Sequence, residues 1–161
     1  MNETRVDPLS QAERSARMAK VRNAGNRSTE VRVEAALITA GIEGWEKQPK
    51  GILGKPDFYF PRQRLAVFVD GCFWHACPVC ARHAPTTREA FWRLKINGNR
   101  RRDNRQRRRL RRDGYHVTRI WEHDVTKGRW LSRLRAMLSR LDARDDQARS
   151  LRLKPDHARD A

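Results

Sequence analysis

The most informative stretch of the chain is LAVFVDGCFWHACPVC, residues 65–80. It begins with an almost unbroken apolar run, Leu65 to Val69, which is typical of a central strand covered on both faces. An acid, two large aromatic residues, a histidine and three cysteines follow at once. Because such side chains can ligate metals or move protons, the stretch predicts a core strand with a functional site at its end.

Upstream of this stretch the sequence predicts a helix and a second strand. Ser28 or Thr29 can cap a helix from about Glu30 to Ala40, which Gly41 ends. Its apolar residues are spaced to pack on the core, namely Val31, Ala35, Leu37 and Ile38. Asp57–Phe60 then has a strand pattern, and Pro61–Arg64 is typical of a turn.

Downstream, Thr86 or Thr87 can cap a long helix that reaches about Asp113 and ends at Gly114. Tyr115–Trp121 is a further strand candidate. A last helix is predicted from about Lys127 to Leu141, with apolar residues at helical spacing at Trp130, Leu134, Met137, Leu138 and Leu141. This order of elements predicts an α/β fold in which helices flank a small mixed central sheet.

The chain of 161 residues is long enough for one core and too short for two comfortable domains. Residues 1–27 are polar and basic and are interpreted as an arm. Residues 28–141 form the predicted domain, and the charged, apolar-poor residues 142–161 are predicted to be a disordered tail.

The charge of the chain points to a polyanionic partner. The 36 Lys and Arg residues exceed the 19 Asp and Glu residues, which gives a formal net charge of +17. Arginine, whose planar fork suits phosphate, supplies most of the excess. Nucleic acid is the favoured partner, and ribosome or membrane-surface association and simple solubility are the alternatives.

The sequence contains neither the run of about 20 apolar residues that spans a bilayer nor a signal peptide at its start. We therefore expect a cytoplasmic, nucleoid-associated protein without membrane contact, in which thiols stay reduced. Cys72, Cys77 and Cys80 then indicate metal ligands or redox groups rather than a disulfide framework.

A structural zinc site is the preferred interpretation of the cysteines, because zinc readily takes three thiolates and a histidine in a closed tetrahedron. Two histidines compete for the fourth position. His83 would complete a compact local knuckle, whereas His123 would tie the segment to the end of the last strand. The alternative is a thioredoxin-like redox pair, Cys77 and Cys80, which the neighbouring prolines disfavour.

The acids predict a second metal site. Asp57 begins one strand and Asp70 ends the next, so a hairpin can place both at one end of the sheet, with Glu30 as a third candidate. Such oxygen ligands hold Mg²⁺, which can activate water at a scissile phosphate. The alternative is that Asp57 caps a turn and Asp70 meets an arginine.

Two further groups suggest contact with DNA and proton transfer. Phe73 and Trp74 either pack in the core or wedge between base pairs, and His75 is either a general base or a packed side chain. Nine arginines between Arg100 and Arg112 point in every direction around the predicted helix, so only some can grip phosphates.

Taken together, these residues resemble the very short patch repair (Vsr) endonucleases. The matching pieces span residues 14 to 140 and are the run Arg14 to Met18, Glu30, Gly54 to Phe58, Val67 to His75, Phe91-Trp92 and Trp121 to His123. That family has a restriction-endonuclease-like core and nicks one strand beside a T·G mismatch left by deamination of 5-methylcytosine.

The resemblance also implies roles for individual residues. Catalytic Mg²⁺ would be bound by Asp57 and the main chain at Val69, His75 would activate water, and Glu30 would support the site. Structural Zn²⁺ would be bound by Cys72, Cys77, Cys80 and His123, which decides against His83. The side chains expected to contact DNA are Met18, Phe73, Trp74, Trp92, Arg100, Arg101 and Arg105.

The sequence departs from the family pattern at three of these positions. Val69 and Asp70 stand where some members have threonine and histidine, and Cys77 stands where some relatives have histidine. A backbone ligand survives the change at Val69. An acid at Asp70 is similar to the second metal-binding carboxylate of other restriction-type nucleases, so we expect Asp70 to bind metal.

The sequence therefore predicts a Mg²⁺-dependent DNA mismatch repair endonuclease that acts as a monomer on double-stranded DNA with a T·G mismatch, alongside mismatch-repair proteins. One alternative is a relaxed-specificity DNA nickase on the same fold. The other is a non-catalytic zinc-containing DNA-binding protein, against which the Asp57 and Asp70 pair argues.

Overall fold

The computed structural model describes Ser10, residues 12–13, residues 29–80 and residues 88–152. Most of the predicted arm, including Met18, lies outside these residues. The same is true of His83 and of three predicted helix caps, Ser28, Thr86 and Thr87. Predictions about these positions stay predictions.

A four-stranded mixed sheet organises the described residues, with strand order β1-β2-β3-β4. The strands are Glu46–Lys47 (β1), Phe58–Phe60 (β2), Leu65–Asp70 (β3) and His116–Trp121 (β4). β1 pairs with β2 and β2 with β3 in antiparallel fashion, whereas β3 and β4 run parallel. The apolar run that predicted a central strand is confirmed, since β3 lies between β2 and β4.

Helices cover both faces of the sheet. On one face, Leu65, Val67 and Val69 of β3 pack in a buried cluster that includes Val33 of the first helix and Trp130 of the last. On the other face, Ala66 packs with Leu110 of the long helix and Val117 of β4. The alternation of β3 side chains between the two clusters follows from the two-residue period of a strand.

The first helix (α1) covers residues 29–39 and packs on the core, as its pattern predicts. Its buried face, however, is formed by Val33 and Leu37, which are four residues apart. Val31 and Ile38 are 53% and 65% exposed and Ala35 is also exposed, so Leu37 alone of the four predicted residues is buried. Thr29 already belongs to the helix rather than preceding it.

The long helix (α2) spans Glu89–Arg112 and connects β3 to β4. Arg88 precedes it in a left-handed conformation and makes no side-chain capping hydrogen bond. The helix ends before Gly114, as predicted, where the φ angle of +81° is one that glycine adopts without strain.

The C-terminal part differs from its prediction in two ways. A short helix (α3, Glu122–Lys127) follows β4 directly, and Gly128 with φ of +70° separates it from α4, Arg129–Arg152. The predicted disordered tail is therefore wrong for residues 142–152, which continue α4. Asp142 accepts a hydrogen bond from Gln63 and pairs with Arg62, which holds this extension against the turn between β2 and β3.

The predicted fold class is confirmed as mixed α/β, a small mixed sheet flanked by helices. None of the helices in the described part of the chain combines the length and the apolar character needed to cross a membrane.

Candidate active site and metal centre

The β2–β3 hairpin brings the predicted acids to one end of the sheet. Asp57 directly precedes β2, and Asp70 is the last residue of β3. Asp57 Oδ2 accepts a hydrogen bond from the Val69 backbone N–H at 2.6 Å. Glu30 of α1 lies close enough to interact with Asp57 and accepts a 3.4 Å hydrogen bond from Gln48. The structure thus brings together Glu30, Asp57, Val69 and Asp70.

The Asp57 carboxyl lies in surroundings that disfavour its negative charge. Its pKa is raised to about 7, chiefly by burial and then by the charges of Glu30 and Asp70, against the lowering effect of the hydrogen bond from Val69. Among the described residues no lysine, arginine or histidine forms an ion pair with it. A bound divalent cation would supply the positive charge that stabilises the Asp57 carboxylate.

His75 reaches the same place from the loop after β3. Its Nδ1 lies 2.6 Å from Asp103 Oδ2 on α2 and 3.5 Å from Asp70 Oδ1. When Nδ1–H donates to Asp103, the lone pair of the ring lies on Nε2, which is the arrangement of a general base held by a carboxylate.

Asp103 is well suited to hold that imidazole. Burial acts to raise its pKa, but the hydrogen bond from His75 and the charges of His75 and Arg102 outweigh burial and hold the pKa of Asp103 below its usual value. The carboxylate form, which accepts the hydrogen bond, is therefore favoured.

Asp70 has a cationic partner that the sequence did not identify. Arg119 of β4 donates from Nε to Asp70 Oδ2, and its guanidinium carbon lies 4.0 Å from the centre of the Trp121 ring. Asp70 itself is only 6% exposed. The alternative in which Asp70 meets an arginine is therefore the contact that the structure contains.

One open cleft of about 1160 Å³ lies between the β1–β2 loop and α2, and its lining includes Asp57, Val69, Asp70, His75 and Asp103. Asp57, Asp70 and Asp103 form its acidic end, with the His75 ring among them. The rest of its wall includes four basic side chains, those of Lys50, Lys55, Arg102 and Arg107. A cleft with basic walls and an acidic end can attract a polyanion and still retain a metal cation.

A second group of ligands lies beyond β3. The Sγ atoms of Cys72, Cys77 and Cys80 and a ring nitrogen of His123 all lie within 4.8 Å of one another. Nδ1 of His123 is 3.2 Å from the Sγ atom of Cys72 and 3.5 Å from each of the other two. His123 belongs to α3, so the cluster joins the loop after β3 to the helix after β4.

The chemistry of this cluster fits a soft metal ion. Burial, together with the charges of Cys77 and Cys80, raises the pKa of the Cys72 thiol to about 12, and a cation is needed to hold Cys72 as a thiolate. The Cys72 backbone N–H donates to Glu122 at 3.2 Å, which fixes the loop beside the cluster. Four protein ligands of this kind could bind a metal such as zinc.

The predicted wedge residues form an edge-to-face aromatic cluster. Phe73 contacts Trp74 and Trp92 with ring centroids 5.0 and 5.3 Å apart, and Trp74 and Trp92 are 5.9 Å apart. Phe91, which is 55% exposed, extends the cluster at 5.3 Å from Trp92. The cluster lies outside the two core groups, where partly exposed rings can meet a ligand.

The arginines of α2 divide by the direction in which they point. Arg102 and Arg107 line the main cleft, and Arg105 lines a shallower groove beside it. Arg100 and Arg101 are exposed and line neither.

Sequence reasoning missed Arg119, the role of Asp103 and the cleft-lining Gln48. Asp103 lies among arginines in the sequence, which hides its role, because its contact with Arg102 is accompanied by the shorter one to His75. The signal available for Arg119 was its place next to the apolar Ile120 and Trp121 in a strand candidate, where a partly buried cation usually has an acidic partner.

Comparison with known proteins gives a consistent result. The profile of the family described as DNA mismatch endonuclease Vsr matches residues 6–81. The type II nicking enzyme V.XorIIP of Xanthomonas oryzae pv. oryzae is 35% identical over 134 residues, covering 83% of this chain and 97% of that protein. V.NaeI of Lentzea aerocolonigenes, another type II nicking enzyme, is 38% identical over 107 residues, and this alignment covers 62% of the chain and 64% of that protein.

The DNA mismatch endonuclease Vsr of Escherichia coli K12 is 32% identical over 111 residues, covering 68% of this chain and 71% of that protein. The similarity thus extends to proteins named as mismatch endonuclease and as nicking enzymes, and for V.XorIIP it covers almost the whole relative. The chain therefore belongs to the Vsr DNA mismatch endonuclease family.

Proposed function

We propose that this protein nicks one strand of double-stranded DNA beside a T·G mismatch, by Mg²⁺-assisted hydrolysis of a phosphodiester. The observation that carries the proposal is the convergence of Asp57, Val69 and the His75–Asp103 pair on one cleft with basic walls. Membership of the family supports the substrate class, and the names of V.XorIIP and V.NaeI support cutting of a single strand.

Asp57 and the main-chain carbonyl of Val69 would hold Mg²⁺, with Glu30 supporting Asp57. The raised pKa of Asp57 in negative surroundings fits this role. When bound, the ion supplies charge stabilisation at the scissile phosphate.

His75 would accept a proton from the attacking water at Nε2 while Asp103 holds Nδ1–H. The water oxygen forms a bond to phosphorus and the bond from phosphorus to the 3′ oxygen breaks. The products are a 5′-phosphate and a 3′-hydroxyl.

The aromatic cluster would recognise the mismatch. A mispaired step is unstacked at lower cost than a paired one, so insertion of Phe73 and Trp74, aided by Trp92 and Met18, would favour T·G over paired DNA. Arg100, Arg101 and Arg105 would contact phosphates outside the cleft, which positions the duplex without reading its sequence.

The thiol cluster would have a structural role. A zinc ion held by Cys72, Cys77, Cys80 and His123 has no open coordination position for water, so it would stabilise the loop rather than take part in hydrolysis.

A cleavage panel tests this function. End-labelled duplexes that are matched, nicked or carry one T·G pair are incubated with the full chain and Mg²⁺, with Asp57→Asn as the control. Nicking of the T·G duplex alone supports the proposal, and nicking of all duplexes indicates the relaxed nickase. DNA binding without metal-dependent cleavage of any substrate would identify a non-catalytic binding protein.

A further inference from the structure

The two carboxylates at the acidic end of the cleft differ in how their charges are balanced. Asp57 has Glu30 as its neighbour and a neutral N–H as its donor. Asp70 has the guanidinium of Arg119 on Oδ2 and the His75 ring 3.5 Å from Oδ1. Of these two carboxylates, only Asp57 has no cationic partner among the described residues.

Arg119 is held at Asp70 from more than one side. In the register of the parallel strands Phe68 lies opposite Arg119 and Asp70 opposite Trp121, so the arginine and the acid are diagonal neighbours. The ring of Trp121 stacks on the guanidinium, and the Nη2 atom of Arg119 is buried without a hydrogen-bond partner among the described residues.

A divalent ion on Asp70 would have to displace this guanidinium. Removing the partner would leave the partly buried Arg119 side chain, whose Nη2 atom is fully buried, without its acid, which is unfavourable. The buried Nη2 would also repel the incoming ion, and Arg107 in the wall of the cleft adds a second positive charge on the same side.

We propose that Arg119 is a built-in cation that occupies Asp70, so that the cleft takes one divalent ion, at Asp57, rather than two. Asp70 is then a positioning residue that holds Arg119 and faces His75, and not the metal ligand that the sequence predicts. This inference rests on the proposed function, because the ion concerned is the one assigned to hydrolysis.

The number of bound ions tests the inference without DNA. The full chain is saturated with Zn²⁺, excess zinc is removed, and Mn²⁺ is added as the probe, with bound ions counted from the loss of the free-ion EPR signal. Ions that remain in a D57N/D70N double variant are subtracted as adventitious.

The wild-type chain is expected to bind one Mn²⁺. Asp57→Asn should weaken Mn²⁺ binding by at least about tenfold, because the ion loses a charged ligand. Asp70→Asn should change the affinity for Mn²⁺ by no more than a few-fold. Arg119→Met frees Asp70 and should give a second ion. Arg119→Lys keeps the positive charge and should still bind one Mn²⁺ ion. It therefore separates the effect of the charge from the effect of changing the side chain at this position.

Two or no bound ions in the wild type, or loss of the ion in Asp70→Asn, would overturn the inference. Because the count needs no cleavage, it is separable from the proposed function. A count of one with no nicking of any duplex contradicts the function alone, whereas a count of two with T·G nicking contradicts this inference alone.

Discussion

The thiol cluster and the acidic cleft lie next to each other at the end of β3, yet they are built in opposite ways. In the cluster, three sulfur atoms and one imidazole face one another within 4.8 Å, with two of the thiols buried. In the cleft, Asp57 is partly buried at the wall of an open space and has no cationic partner in the described part of the chain. The difference shows how one segment can contribute to two kinds of site. A metal site whose ligands all come from the protein stabilises the fold, whereas a site with an open position can bind substrate and water.

The largest effect is expected when a ligand of the thiol cluster is removed. Cys77→Ser removes a fully buried ligand, so we expect zinc content to fall and Tm to drop by roughly 10 °C or more, because a structural zinc contributes several kcal/mol to folding. Calorimetry and metal analysis measure both. Val79→Ser, at a 66% exposed position in the same loop, is the matched control. Unchanged melting and zinc content in Cys77→Ser would contradict a structural metal.

Breaking the open site should affect activity and leave stability nearly intact. His75→Ala is expected to lower the rate of T·G nicking by about 10²- to 10⁴-fold, the range for loss of a general base, with zinc content retained. Asp103→Asn should cause a smaller loss, because it removes only the group that orients His75. Asp113→Asn, an exposed acid of the same region that pairs with Arg109, should retain the wild-type rate. Equal losses in the two aspartate variants would argue against the His75–Asp103 pair.

A pH experiment sharpens the contrast between the two sites. Because the pKa of Asp57 is raised to about 7 in the folded chain, its protonated form is favoured there, and stability is lost as pH rises from about 4 through 7. Without added divalent ion, Asp57→Asn should be more stable than the wild type at pH 8, by on the order of 2 kcal/mol, and nearly equal to it at pH 4. Urea unfolding at both values measures the difference.

Mg²⁺ should then raise the stability of the wild type at pH 8 and raise that of Asp57→Asn much less, because the substitution removes the charged ligand. If the difference in unfolding free energy between the wild type and Asp57→Asn does not depend on pH, the substitution acts through packing rather than through charge.

The smallest effect is expected in the aromatic cluster, of which Phe73 and Trp74 lie between Cys72 and His75 in the sequence. Trp74→Ala should reduce the preference for T·G over matched DNA by roughly tenfold, since stacking of one base on an aromatic ring contributes about 1–3 kcal/mol. Competition binding with both duplexes measures the ratio. Leu94→Ala, at a 75% exposed position on α2, should leave the ratio unchanged. An unaltered ratio in Trp74→Ala would remove the wedge role.

The sequence predicted those parts of the molecule whose pattern has one physical cause. The apolar run of β3 requires cover on both faces, and the cysteine spacing favours ligands of one metal ion, so the central strand and the clustering of the cysteines were predictable. The two-residue β1 and the short α3 are too brief for any periodicity to indicate them.

The contacts across the cleft were not predictable for a geometric reason. Arginines surround α2 on all sides, so the pattern contained no information about its rotation, which decides that Arg102 and Arg107 face the cleft. The same rotation directs Asp103 toward His75. Arg119 meets Asp70 only through the register of two strands that α2 separates in the chain.

The loop that follows β3 is attached to a different element every two or three residues. Asp70 contacts β4 through Arg119, the Cys72 backbone contacts α3 through Glu122, and His75 contacts α2 through Asp103. An inserted or deleted residue between Asp70 and Cys77 would shift every later attachment point out of reach. The loop is therefore tolerant of substitution at its exposed positions, Pro78 and Val79, but its length is fixed.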